Sequence, residues 1–204
     1  MQQLPLRPVL IGLVVLVAAV GLTRIVPSGP AAPSNSSPGS SATTGALDGP
    51  CNTQNPGVSL IVDFGKDSGR TPMVECARGF NVAGSSVSNE LNGWQLFAAA
   101  GLSVTGTAEY PVGFVCRIEG YPLASDQPCT STPTYAQGHW AYFVSRAGHA
   151  SSGNWAFSGA GSSEHKPSCG SADGWLFVKG DAATGDGSNQ YPGVPAKVFS
   201  CAPQ

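Results

Sequence analysis

The sequence has little charge of either sign. Only 11% of the 204 residues are Asp, Glu, Lys or Arg, against about 25% in typical soluble domains. Ten Lys and Arg oppose twelve Asp and Glu, and the basic residues form no run. A protein that binds nucleic acid needs a positive surface for the phosphates. We therefore expect no nucleic-acid partner.

Several motifs of catalytic and metal-binding sites are also missing. The chain has no G-x-S-x-G motif of a serine hydrolase, no C-x-x-C pair and no D-x-D-x-D-G calcium loop in its acidic tail. His139, His149 and His165 have no acidic residue at a recognised metal-ligand spacing. Glu109 and Glu119 are more typical of solvated acids than of a glycosidase pair. We therefore expect no catalytic residue, no metal site and no cofactor.

Glycine and proline, in contrast, are abundant. The 27 Gly and 17 Pro are spread over the whole chain, and such residues mark turns between short elements. This composition favours short strands over a helical bundle. Without its unusual first fifty residues the chain retains about 150 residues, which is the size of one domain.

The N-terminal segment, residues 1–26, is typical of a membrane segment. An apolar run lies between Arg7 and Arg24, as in an uncleaved anchor or in a cleaved signal peptide. Residues 27–50 are nearly all Pro, Ser, Ala, Gly and Thr, a composition that predicts a flexible linker. The folded domain, residues 51–204, is then expected outside the cytoplasm, either anchored to the membrane by the N-terminal helix or secreted.

All six cysteines follow the linker. An even number of cysteines in an exported chain predicts disulfides. Six cysteines allow fifteen pairings, and the sequence does not choose among them. Proximity along the chain favours, as a hypothesis, pairing between consecutive cysteines. The pairs would be Cys51 with Cys76, Cys116 with Cys129, and Cys169 with Cys201.

The spacing of apolar residues predicts one helix and several strands. Residues 57–65 and the segment TPMVECA flank the turn-rich stretch GKDSGR, which is typical of a β-hairpin. Helical spacing within residues 85–104 predicts a helix that is capped by Ser86 or Ser88 and closed by Gly101. About four strands follow. The predicted class is α+β, with one helix packed on a mainly antiparallel sheet and stapled by disulfides.

Three copies of a Trp-x-aromatic pattern lie in the second half of the chain. Residues two apart in a strand share a face, so neighbouring strands would place six rings on one face of the sheet. These rings either form the core or leave one or two Trp exposed to stack on a ring-shaped ligand. The copies are Trp140-Ala-Tyr142, Trp155-Ala-Phe157 and Trp175-Leu-Phe177. The candidate ligand-binding residues are Trp140, Tyr142, Trp155, Phe157 and Trp175.

A series of short motifs resembles a known family. In order, GVSLIVDFG, AAAGLSVTGT, GFVCRIEGYP, HWAYFVS and SADGWLFV are similar to the domain of unknown function related to the C-terminal domain of transcobalamin and intrinsic factor, as found in exported actinobacterial proteins. The similarity covers residues 57–178. The positions that match the recurring motifs of this family are Trp140, Tyr142, Trp155, Asp173, Gly174 and Trp175.

The resemblance implies a small β-grasp-like α+β domain. In the vitamin carriers this domain forms one half of a corrinoid-binding cleft. The present chain departs from that pattern, because it lacks the helical barrel that supplies the other half. It also has the additional pair Cys169 and Cys201 and a tail of about 25 residues beyond the matched region.

Two functions of different classes follow from these observations. The first is a non-catalytic, surface-displayed module that binds a corrinoid, a glycan or an envelope protein through its aromatic residues. The second is a structural or accessory module of the cell envelope in which all aromatic side chains belong to the core. An exported hydrolase is a third hypothesis, and a Ser or Asp beside His139 in a cleft would favour it.

Overall fold

The computed structural model describes residues 47–78, 91–146, 148, 150–180, 187 and 189–201. The predicted membrane or signal segment, most of the predicted linker, the serines expected to cap the helix and His149 lie outside these residues. In the part of the chain that is described, no helix is long and apolar enough to cross a membrane.

The described residues form eight strands and one short α-helix, which confirms the α+β class. Three strands precede the helix and five follow it. In chain order they are β1 (Leu47–Asp48), β2 (Val58–Asp63), β3 (Met73–Ala77), α1 (Gln95–Ala99), β4 (Val104–Gly106), β5 (Val115–Ile118), β6 (His139–Ser145), β7 (Trp155–Phe157) and β8 (Ala172–Val178). Strand β1 lies within the segment predicted as linker.

Six strands form the main sheet in the order β1-β3-β2-β8-β6-β7, and β4 pairs with β5 separately. The predicted hairpin is confirmed, since β2 and β3 are antiparallel neighbours. Only β2 and β8 run parallel among the described strand pairs. These two central strands are almost completely buried, as expected for strands that are covered on both faces.

Local interactions define the start of helix α1, and a glycine defines its end. The backbone N–H of Gln95 donates to Asn92 Oδ1 at 2.9 Å, and the backbone N–H of Asn92 donates to Gln95 Oε1 at 3.0 Å. This reciprocal pair has the pattern of a capping box. Gly101 follows the helix with a φ of +72°, and it ends the helix as predicted because glycine adopts this left-handed conformation without steric cost.

The two faces of the main sheet carry separate apolar clusters. The cluster on the α1 side contains four rings of the Trp-x-aromatic pattern, which are Trp140, Tyr142, Trp175 and Phe177. The cluster on the opposite side contains Trp155 together with Phe143 and Leu176.

The prediction that all six rings share one face is therefore wrong. In the antiparallel pair of β6 and β7, Trp155 lies opposite Ser145 and Phe157 lies opposite Phe143. Residues directly opposite one another in a sheet point to the same face. Phe143 and Tyr142 are on opposite faces of the sheet. Trp155 and Phe157 of β7 are therefore on the face of Phe143.

The C-terminal tail, residues 189–201, packs on the cluster that contains Trp155. The indole N–H of Trp155 donates to the backbone oxygen of Val194 at 2.9 Å. Gly174 leaves the space that this indole needs, because a Cβ at position 174 would lie 2.9 Å from Trp155 Cη2. Trp155 is therefore a structural residue that joins the sheet to the tail.

Three disulfides connect consecutive cysteines. They join Cys51 to Cys76, Cys116 to Cys129, and Cys169 to Cys201, which confirms the hypothesis based on chain proximity. No cysteine is free. Three disulfides in a domain of this size are typical of an oxidising, extracytoplasmic environment.

Candidate functional site

An open groove of about 370 Å³ lies along strand β6, and we call it the β6 groove. Three parts of the chain line it besides Trp175. They are residues 113–115 at the start of β5, residues 139–142 of β6 and residues 157–162 after β7. The groove therefore lies between the small sheet and the segment that leaves the edge strand.

The lining of the β6 groove carries almost no charge. Among the described residues that line it, none is Asp, Glu, Lys or Arg, and His139 is the only basic side chain. The lining instead consists of aromatic, small apolar and serine residues. Pockets of this kind bind small molecules through apolar contacts and a few polar groups that set the orientation.

Four of the five predicted ligand-binding residues come together at the groove. Trp140, Tyr142, Phe157 and Trp175 line it. Trp155 does not line it, because its strand register directs it into the other cluster. The same register directs the ring of Phe157 away from the groove, so Phe157 lines it only at the end of strand β7.

Of the two alternatives for the Trp-x-aromatic rings, the three Trp side chains follow the first and belong to the core. Trp140 is 5% exposed, Trp155 is fully buried and Trp175 is 3% exposed. Their large rings pack against other aromatic side chains, as in the contacts of Trp140 with Phe177 and of Trp175 with Tyr142. The ring of Phe157 is 39% exposed, but it lies against Phe143 on the opposite face of the sheet.

A buried polar network lies beneath the groove. The Tyr142 hydroxyl donates a hydrogen bond to Asp173 Oδ2. His165 Nε2 lies 3.6 Å from Asp173 Oδ1, which is within ion-pair range but longer than a hydrogen bond. The Tyr142 ring also stacks on Trp175, with ring centroids 4.6 Å apart. Asp173 is fully buried, so these two polar neighbours offset the cost of removing its carboxylate from water.

The network changes the pKa of both partners of Asp173. Contact with the Asp173 carboxylate raises the pKa of His165 against the opposing effect of burial. Burial and then the negative charge of Asp173 raise the pKa of the Tyr142 hydroxyl. Tyr142 therefore stays a neutral donor over the physiological pH range.

The segment that borders the groove is also tied to the start of α1. The backbone N–H of Gly93 donates to the His165 oxygen at 2.9 Å, and that of Trp94 donates to the Ser162 oxygen at 3.0 Å. The Asn92 side-chain amide donates to the Ser163 oxygen at 3.0 Å. These bonds hold residues 162–165 in place on one side of the groove.

Three polar groups of the groove lining are buried without a hydrogen bond. The indole N–H groups of Trp140 and Trp175 and the hydroxyl of Ser162 have no hydrogen-bond partner among the described residues. An unsatisfied buried polar group costs about 1–3 kcal/mol, and buried Trp N–H groups usually have a partner. This clustering distinguishes the groove from the rest of the described interior.

The other candidate residues have local structural contacts. The Glu119 carboxylate accepts a hydrogen bond from the backbone N–H of Ser103, which joins the ends of β4 and β5. The ring of His139 lies 5.8 Å from that of Tyr135. Within the described ranges, no group of three or more His, Cys, Asp or Glu residues is arranged to hold a metal ion.

The network of His165 and Asp173 was missed in the sequence. The sequence shows no acidic residue at a recognised metal-ligand spacing from His165, so it does not predict this contact. The available signal was Asp173 itself, an acidic residue at the start of the otherwise apolar strand ADGWLFV. An acid in such a strand needs a buried polar partner, which gives a reason to examine nearby histidines and tyrosines.

Comparison with known proteins identifies no relative. No protein-family model, no curated protein and no solved structure matches this chain. A function therefore has to be argued from the chemistry of the β6 groove.

Proposed function

We propose that the chain is a non-catalytic, extracytoplasmic module that binds a small ligand in the β6 groove. The observation that carries the proposal is the open, uncharged groove at which Trp140, Tyr142, Phe157 and Trp175 meet. The disulfides support a location outside the cytoplasm. The N-terminal segment, residues 1–26, would anchor the module to the membrane or direct its secretion.

The connectivity of the sheet supports the resemblance to the transcobalamin-related domain. Without β1, the sheet runs β3-β2-β8-β6-β7, with β2 and β8 parallel at its centre and α1 between β3 and β6 in the chain. This is the strand order of a β-grasp fold. By that resemblance, a corrinoid-like ligand is one candidate for the groove.

A structural or accessory role in the cell envelope is the second candidate function. It is favoured by the burial of Trp140, Trp155 and Trp175, since side chains that complete a core are not free to act as a binding surface. The two functions differ in one respect that can be measured, which is whether the β6 groove takes up a ligand.

Filling the groove tests the proposed function. Gly159 lines the groove, and a Cβ at this position would meet no atom within 4 Å, so Gly159→Trp adds a large side chain at the groove without a clash of its Cβ. Gly159→Ala is the matched control, because it adds only a methyl group. The full chain would be titrated with cyanocobalamin and with neutral oligosaccharides by isothermal titration calorimetry.

We expect saturable binding that Gly159→Ala preserves and that Gly159→Trp weakens at least tenfold. Binding that is unchanged in Gly159→Trp would contradict the assignment of the site. A protein that binds none of these probes would favour the structural role.

A further inference from the structure

We propose that the β6 groove recognises an uncharged, hydroxyl-rich ring, that is, a neutral saccharide of one or two sugar units. This inference rests on the proposed function, because it specifies the ligand of the same groove.

The charge of the lining carries the first step. Apart from His139, the described residues around the groove provide no charged group. A ligand with a carboxylate or phosphate would lose its hydration on binding and gain no opposite charge in return, which is costly. An uncharged ligand avoids this cost.

The apolar surface carries the second step. Phe114, on the border of the groove formed by residues 113–115, is half-buried. A sugar ring presents C–H groups on its faces and hydroxyl groups around its edge. Such a ring can therefore bury a face against Phe114 and keep its hydroxyl groups available for hydrogen bonds.

The unsatisfied polar groups carry the third step. The indole N–H groups of Trp140 and Trp175 are donors, and the Ser162 hydroxyl both donates and accepts. Sugar hydroxyl oxygens are suitable acceptors for the two donors. Small side-chain adjustments on binding are common, and they would bring these buried groups into contact with the ligand.

The size of the groove carries the last step. Its volume of about 370 Å³ lies near the lower end of the range of about 300–1,000 Å³ for small-ligand pockets. This is suited to one or two sugar rings. A complete corrin macrocycle with its side chains would extend beyond the groove.

The test compares five probes on the full chain by isothermal titration calorimetry. They are maltohexaose, cellohexaose, chitohexaose, the negatively charged hexagalacturonate, and cyanocobalamin. Phe114→Ala removes the half-buried ring at the border of the groove. Tyr191→Ala is its control, because Tyr191 is an aromatic residue that is 41% exposed and does not line the groove.

We expect at least one neutral oligosaccharide to bind, with affinity reduced at least tenfold by Phe114→Ala and less than twofold by Tyr191→Ala. If Phe114→Ala does not fold, Gly159→Trp replaces it, with the same expected loss. Tighter binding of hexagalacturonate than of every neutral oligosaccharide would overturn the inference.

The remaining outcomes separate this inference from the proposed function. Binding of cyanocobalamin alone, weakened by the groove variants, would overturn the saccharide and keep the binding function. Binding of no probe would overturn the saccharide and also count against the binding function. Saccharide binding that neither groove variant weakens would overturn both assignments to the β6 groove.

Discussion

His165 Nε2 lies 3.6 Å from Asp173 Oδ1, and this pair joins the segment beside the β6 groove to the central strand β8. Asp173 is fully buried, whereas His165 remains partly accessible to solvent. The pair therefore connects a histidine that can exchange protons with water to a carboxylate that has only protein groups around it.

The pair makes the stability of the domain depend on pH. The pKa of His165 is raised in the folded state, so folding favours the protonated imidazole. This stabilisation is fully present below the ordinary histidine pKa of about 6.5, and it is lost as the pH rises through the raised pKa. We expect the loss of unfolding free energy on His165→Gln to be larger at pH 5.5 than at pH 8.5, as measured by urea denaturation. An equal loss at both pH values would contradict this account.

The Tyr142 hydroxyl stabilises the fold through Asp173. Tyr142→Phe removes the donor to Asp173 Oδ2 and leaves a buried carboxylate oxygen without that hydrogen bond. We expect the unfolding free energy to fall by about 1–3 kcal/mol. Tyr110→Phe is the control, because Tyr110 is exposed and its change should stay within about 0.5 kcal/mol. Equal effects of the two variants in urea denaturation would argue against the network.

Trp155 and Trp140 differ in the role of the indole N–H. Trp155→Phe removes the hydrogen bond to the Val194 oxygen in the tail, whereas Trp140→Phe removes an N–H that has no partner among the described residues. Both variants reduce the size of a buried ring. We expect Trp155→Phe to cost about 1 kcal/mol more unfolding free energy than Trp140→Phe. Thermal denaturation of both variants measures the difference, and the reverse order would contradict the assigned roles.

The Cys169–Cys201 disulfide holds the tail on the sheet. The two cysteines are 32 residues apart in the sequence. Removal of a disulfide that closes a loop of this length lowers the unfolding free energy by about 3–4 kcal/mol. The double variant Cys169→Ser/Cys201→Ser should lose this amount in urea denaturation and bind more of the hydrophobic dye ANS, since Ala196 and Val194 cover an apolar cluster. A variant with unchanged stability and dye binding would show that the tail packs without its disulfide.

The local parts of the fold were predictable from the sequence. The β2–β3 hairpin, the end of the helix at Gly101 and the pairing of consecutive cysteines each depend on residues that are close in the chain. The three Trp-x-aromatic segments also form strands, and these strands are neighbours in the sheet.

The face on which each aromatic pair lies was not predictable. The period of a strand shows which residues share a face within that strand, but the register with its neighbour shows which face it is. A shift of one residue exchanges the two faces. In β7 this register places Trp155 and Phe157 on the side opposite to Tyr142, so the predicted aromatic surface becomes two separate clusters.

The groove and its network were only partly predictable. Four of its residues were among the candidates because of their aromatic rings. The contribution of His165 was not predictable, because it depends on a buried contact with Asp173 that the spacing of the two residues does not specify.

The order of the disulfides also bears on how the chain matures. Each cysteine pairs with the next one in the sequence. As a chain enters an oxidising compartment with its N-terminal part first, each newly arrived second cysteine finds its native partner as the only unpaired thiol. Oxidation in the order of arrival therefore produces the native set directly, and the domain can mature without a disulfide isomerase to rearrange incorrect pairs.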